Sequence, residues 1–333
     1  MSVPTFGVVV PPYGPFQDPE QVWRVVAAAE ELGFASVWFG DHIVVPPYAA
    51  ALTPPDWFDA VALCLVGLGR TTTLRFGTDV LVAPYRRPVE FAHLVASADR
   101  LGGGRLTIGM GVGFLEGEFD ALQVPYAERG AVTDEYLEVL RLLWESQGQP
   151  VSYSGRWVSF SDILFGPAPL QKPLPLWVGG NGDRALRRAA RLGDGWHPLF
   201  CSPLEYREGR ERIRRLLAEN GRGDAPFTFS YSCPPTQLVS TEVEPSESQA
   251  YGGSQLPRDY DYLPPMPVDS AGRSRFVGTS AQVAGDIAEF AQAGVEHFAL
   301  RFSVGAPGDS AEQMIAQMKW FASDVAPLHH ART

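Results

Sequence analysis

The sequence predicts a single (β/α)₈ barrel spanning residues 1–333, and three observations carry that expectation. Eight short apolar runs alternate with eight amphipathic stretches along the chain. Glycine, proline and polar clusters punctuate the joins. Polar residues gather at the C-terminal ends of five of the eight runs, where a barrel builds its sites.

In chain order, Phe6–Val10 ends at Pro11-Pro12, and Asp18 then opens a helix whose apolar positions Val22, Val25, Val26, Ala29 and Leu32 repeat at helical spacing until Gly33. Strands follow at Ser36–Asp41 and Leu74–Val82, and helices at Asp56–Gly69 and Pro88–Leu101, the last with proline in its first turn. Arg105–Gly111 is strand four and Arg129–Ser146 helix four. Leu176–Gly180 with Asp183–Leu192, and Gly195–Leu199 with Pro203–Asn220, form the next two units. Phe227–Ser232 with Ser280–Ala293, and His297–Phe302 with Ser310–Val325, complete eight. A bare barrel needs about 250 residues, so two insertions hold the surplus. Residues 147–175 follow helix four, on the side away from the catalytic loops, and read as packing. Residues 233–275 follow strand seven on the catalytic face; a disordered loop and a lid carrying Tyr251, Tyr260 and Tyr262 both fit their composition.

A composition of 45% apolar and 20% charged residues is that of an ordinary soluble globular chain. The net charge of −11 argues against a nucleic-acid partner. No apolar run approaches a membrane span, and the N-terminus lacks the pattern of a signal peptide. Cys64, Cys201 and Cys233 are scattered and odd in number, which points to a reducing cytoplasm and to neither disulfides nor zinc. Histidines are not spaced as a metal-binding barrel requires, so no metal is expected.

Within LWVGGNGDRALRR, the strand Leu176–Val178 runs into Gly179, Gly180, Asn181 and Gly182 and then a helix start. Main-chain N–H groups can approach an anion there without a Cβ in the way, and the helix dipole adds to them. Arg184, Arg187, Arg188 and Arg191 share one face of that helix; a solvated basic face and contact with a cofactor tail are both open. The other strand ends present Asp41-His42, Thr78-Asp79, Gly111–Phe114 and Asp194–His197. His42 emerges from a buried strand as a proton donor or acceptor. Asp41, Asp79, Glu116 and Asp194 could also supply the paired carboxylates of a glycoside hydrolase, but such a site has no need of the glycine loop.

FGDH ending at His42, FGTDVLVAPYRRP from Phe76, LGGGRLTIGMGVGF from Leu101, PLWVGGNG ending at Gly182, RLGDGW ending at Trp196 and FVGTSAQVAGDIAEFAQAGVEHFAL from Phe276 together resemble the luciferase-like monooxygenase superfamily. The branch most similar is the deazaflavin (coenzyme F420)-dependent oxidoreductases. The resemblance implies a barrel holding F420, or alternatively FMN, on its C-terminal face, and a homodimer acting on a small-molecule substrate. It places Asp41 and His42 by the ring system, with Thr78, Asp79 and Val80 behind it at a bulge with a non-prolyl cis peptide. Val112, Gly113 and Phe114 border the cofactor, and Gly179, Gly180, Asn181 and Gly182 take its phosphate. The family's sugar-phosphate dehydrogenases have a glutamate where this chain has Phe114, so glucose 6-phosphate is not the expected substrate; Glu116 is a candidate replacement acid or a helix cap. The expected reaction is hydride transfer between F420 and a small organic substrate, with His42, Asp41 and Glu116 as catalytic residues. A two-component FMN monooxygenase and a flavin-binding barrel without turnover are the alternatives.

Overall fold

The computed structural model describes residues 3–51, 53–243 and 266–330. Its strands are β1 (Thr5–Val9), β2 (Ser36–Phe39), β3 (Arg75–Thr78), β4 (Leu81–Val82), β5 (Leu106–Gly111), β6 (Val151–Ser154), β7 (Ser159–Ile163), β8 (Leu176–Gly179), β9 (Gly195–His197), β10 (Thr228–Pro235), β11 (Gln237–Leu238), β12 (Val277–Gly278) and β13 (His297–Arg301). The helices are α1 (Pro19–Glu31), α2 (Ala60–Arg70), α3 (Pro88–Leu101), α4 (Glu116–Ala121), α5 (Arg129–Glu145), α6 (Asp183–Leu192), α7 (Pro203–Glu219), α8 (Ser280–Ala293), α9 (Ala311–Trp320) and the short α10 (Pro327–His330).

The central sheet runs β3-β2-β1-β13-β10-β9-β8-β5-β4, all parallel, and β3–β5 pairing closes it. Because β3 and β4 are two halves of one interrupted strand, this is the eight-stranded (β/α)₈ barrel that the alternating pattern predicts. The interruption is the cis peptide Asp79–Val80. Thr78 bridges it: its hydroxyl donates to Gly109 O at 2.8 Å and accepts from Gly109 N at 2.9 Å.

Aromatic rings fill the barrel interior. Trp38 stacks on Trp177 and on His197, each at 5.0 Å between centroids. Such large rings fit because the facing strands carry glycine: a Cβ on Gly77 would lie 2.2 Å from Trp38, and one on Gly195 2.4 Å from Trp177. Below them, His297 accepts or donates among Thr5, Ser36 and Trp38 at 2.8–3.2 Å. Burial, aided by the charges of His197 and Arg75, pulls its imidazole down to about 3, so it sits there neutral.

The 147–175 segment forms the β6–β7 hairpin against α5, where Glu135 collects the backbone N–H groups of Arg156, Trp157 and Val158. Further on, Gln171 bonds Asp99 and Arg75. After β10, the described part of 233–275 returns through Arg273 and Arg275, which clamp the buried Asp286 of α8. Burial raises that carboxyl although both guanidinium groups oppose it. Tyr251, Tyr260 and Tyr262, the residues of the expected lid, lie outside the described residues. Helix α4 is an element the apolar pattern does not announce: six residues are too short for a helical period to show.

Candidate active site

A cavity of about 300 Å³ opens over the C-terminal strand ends. Val10 of the first strand end, Asp41 and His42 of the second, Val80 and Val82 of the third, Val112 to Phe114 of the fourth, Gly179 and Gly180 of the fifth and His197 of the sixth all line it. Pro11, Tyr13, Trp57 and Phe200 make its walls largely apolar.

His42 sits on one side with its ring edge-on to Trp57 at 4.7 Å and Phe114 at 5.6 Å. Its Nδ1 is 2.9 Å from Glu118 Oε2, and the Glu118 side chain is fully buried. Glu118 Oε1 also accepts the backbone N–H groups of Ile43 and Val44 at 2.6 and 3.2 Å. Nearby, burial and then the Glu118 charge push the Tyr85 phenol well above its ordinary value, which keeps it protonated.

Asp41 occupies the predicted place but not the predicted state. Arg86 grips both its oxygens, at 2.6 and 2.7 Å, and Val82 N donates at 3.0 Å. A carboxylate so held ties the end of the second strand to the loop that follows the third. Arg86 stays charged because Asp41 outweighs the cost of its burial. Glu116 is exposed in the first turn of α4 and does not line the cavity; the carboxylate that reaches His42 is Glu118, two residues on.

On the opposite side Asp79 Oδ1 is 2.9 Å from His197 Nε2, and Oδ2 accepts from Arg301 Nη2 at 2.8 Å. Burial alone would raise the Asp79 carboxyl, but the His197 hydrogen bond and the Arg301 charge prevail and hold it below the usual range. Thr78 lies behind the cavity, occupied with Gly109.

The glycine loop divides. Gly179 and Gly180 line the cavity; Gly180 has φ 106 and is pinned by Trp196 Nε1 donating to its carbonyl at 2.8 Å. Asn181 turns away, donating to Leu199 O at 2.6 Å, and Gly182 is the exposed N-cap of α6 with an ordinary φ of −76. The arginines of α6 do not meet the cavity: Arg188 bonds Asp134 and Gly130, Arg191 pairs with Glu138, and Arg187 with Asp183. Carboxylates of α5 and of α6 itself thus take up Arg187, Arg188 and Arg191, three of the four arginines on this face. Asp194 lies at the lower, N-terminal end of β9, bound by Arg141, and so is no partner for a catalytic carboxylate.

Glu118, Tyr85 and Arg301 are among the cavity residues that the sequence reading passes over. Arg301 closes the eighth strand, so the rule applied to the other strand ends would have found it; Glu118 needs the turn of α4 to bring it to His42. Among the described residues no cluster of His, Cys, Asp and Glu could hold a metal, and no helix is long and apolar enough to cross a membrane. Cys64, Cys201 and Cys233 are buried free thiols.

A closed barrel whose strand ends enclose an apolar cavity with a histidine–carboxylate pair defines a (β/α)₈-barrel enzyme site. The chain belongs to the luciferase-like monooxygenase family, whose model matches residues 3–318, a family of oxidoreductases and monooxygenases. A phthiodiolone/phenolphthiodiolone dimycocerosates ketoreductase of Mycobacterium tuberculosis is 30% identical over 219 residues, 61% of this chain and 57% of its own. An F420-dependent secondary alcohol dehydrogenase, solved with an F420-acetone adduct, superposes with a TM-score of 0.75 at 20% identity, over 97% of this chain and 98% of its own. A riboflavin lyase solved with modified FMN gives a TM-score of 0.73 at 16% identity, over 99% and 92%. At such identities the two structures share the fold.

Proposed function

We propose that this chain is an oxidoreductase transferring a hydride between a deazaflavin of the F420 type and a small, largely apolar alcohol or carbonyl compound. The observation that carries the reading is His42: buried on one edge by Glu118, open on the other to an apolar cavity, and so equipped to accept or return the proton that accompanies a hydride. A deazaflavin held here would accept the hydride from an alcohol or return it to a carbonyl, since carbon in place of nitrogen at position five of its central ring restricts it largely to two-electron chemistry.

The residues fit such a group. Val80, Val112, Gly113 and Phe114 offer a flat apolar bed, and Gly179 with Gly180 lets backbone approach a phosphate near the start of α6. Apolar walls from Tyr13, Trp57 and Phe200 keep water from the reacting face and suit a substrate without charge. Both the ketoreductase and the alcohol dehydrogenase above carry names that agree with carbonyl–alcohol chemistry. Asp41 holds the site together in this reading, and Glu118, rather than the candidate acid Glu116, is the carboxylate beside His42. The homodimer implied by the resemblance and the reducing cytoplasm suggested by the scattered cysteines complete the proposal, and a solution mass checks the former.

The decisive experiment titrates apoprotein with F420 and with FMN, followed by anaerobic turnover of short secondary alcohols. Tighter binding of F420 and oxygen-independent ketone formation are expected. Tighter binding of FMN with strictly oxygen-dependent product would establish the monooxygenase instead.

A further inference from the structure

We infer that Glu118 is the positioning residue for His42: its carboxylate fixes the imidazole as the Nδ1–H tautomer and so turns an unprotonated Nε2 toward the cavity. This rests on the reading of His42 as the proton-handling group and specifies how that group is set.

The reasoning is a count of donors and acceptors. The backbone N–H groups of Ile43 and Val44 can only donate, and both point at Glu118 Oε1. An ionised carboxylate can only accept, so the third partner, His42 Nδ1 at 2.9 Å from Oε2, must carry a proton. All three donors converge on one buried side chain, so its two oxygens are shared between the backbone and the ring. The other titratable groups facing this corner do not compete for the role: Asp41 is held by Arg86, and Tyr85 keeps its own proton. His42 Nε2 makes no hydrogen bond to the described residues, and the ring lines the cavity between Trp57 and Phe114. One carboxylate therefore fixes the ring's tautomer and, through Ile43 and Val44, the height of the loop that carries it.

Replacing that carboxylate by an amide makes the idea sharp. In Glu118→Gln the two backbone N–H groups claim the amide oxygen, which leaves the NH₂ group facing His42. Nδ1 must then accept, and the proton moves to Nε2. The base at the cavity becomes a donor while shape and volume hardly change.

The test is ¹⁵N NMR on histidine-labelled protein without cofactor, with the His42 signals assigned by their loss in His42→Ala. Wild type is expected to show Nδ1–H and Glu118→Gln to show Nε2–H. In turnover, kcat falls on the order of 10²–10⁴-fold in Glu118→Gln with KM little changed, as when a catalytic histidine takes the wrong tautomer. Glu118→Asp keeps the charge and is expected to recover part of the loss. An Nε2–H signal in wild type overturns the inference, even if the variant fails to fold; so does retention of Nδ1–H in Glu118→Gln. Because the tautomer is read without cofactor or substrate, a failure of the proposed reaction would leave it standing and be recognised separately.

Discussion

Asp79 and His197 meet at 2.9 Å on the wall of the cavity, although 118 residues separate them in sequence. The contact joins the interrupted third strand to the sixth and, through Arg301, to the eighth. It therefore ties three strand ends at the level where a ligand would rest.

Loss of the Asp79 charge should cost stability in a pH-dependent way. Its folded value lies below the ordinary carboxylate value, so the stabilisation is present above that ordinary value and disappears as pH falls through the depressed one. Asp79→Asn keeps one neutral acceptor oxygen where the carboxylate offers two, so the charged contact to His197 and Arg301 is lost, at a cost of about 3 kcal/mol at neutral pH, the low end for a broken buried pair because Arg301 is partly exposed and also bonds Ser232. Denaturant melts of wild type and variant should converge as the acid titration completes. A constant gap down to the lowest measurable pH would show that Asp79 acts by shape and not by charge.

His42→Ala should retain the fold and lower turnover by roughly 10²–10⁴-fold, the usual contribution of a general acid or base. Glu118 keeps two of its three donors in that variant, so the carboxylate is not stranded. Steady-state kinetics beside thermal melts decides it. A melting loss as large as that of Asp79→Asn, with turnover intact, would make His42 a packing residue.

Two neighbouring glycines should respond in opposite ways. Gly180 has φ 106, and a Cβ there would lie 3.0 Å from that of Ala185, so Gly180→Ala is strained by about 1–3 kcal/mol and crowds the cavity. Gly182→Ala enters open space at an ordinary φ. Affinity for F420 or FMN should drop in the first variant alone. Equal losses in both would move the anion site to the N-cap of α6, where the glycine pattern by itself would place it.

This pair shows what the sequence could and could not say. Periodicity reports which residues are buried, and burial on alternating elements is what a barrel consists of; hence the eight strands and their helices were readable to within a few residues. The cis bond at Asp79 was readable only through the family motif. Which polar group serves which neighbour depends on contacts across the barrel. Asp41 and Asp79 look alike at their strand ends, yet one is gripped by Arg86 from the loop after the neighbouring third strand and the other by His197 and Arg301 from more distant strands. Glu116 and Glu118 differ by part of a helical turn, enough to leave one on the exposed side of α4 and bring the other to His42. In the same way the arginine periodicity of α6 was real, but α5 supplies carboxylates to that face that no local pattern reveals.

At the opposite end of the barrel, His297 should make the protein acid-sensitive well above the carboxylate range. Its folded value of about 3 lies far below the ordinary histidine value of 6.5, so between them the unfolded chain binds a proton that the native state refuses. Stability should then fall with decreasing pH by about 1.4 kcal/mol per unit once below the unfolded value. The cause is local: Thr5, Ser36 and Trp38 enclose the ring, and the charges facing it, His197 and Arg75, both oppose a further positive charge. His297→Gln can still hydrogen-bond but cannot titrate. Its stability should be lower than wild type at neutral pH, through poorer packing under Trp38, and should change less between pH 6 and about 4.5. Asp79 does not blur this window, because its contribution is lost only at lower pH. Urea melts at half-unit steps in pH measure both slopes. Identical slopes for wild type and His297→Gln would mean that the barrel floor admits water or a proton to His297, and that the neutral, enclosed ring is not what sets the acid limit.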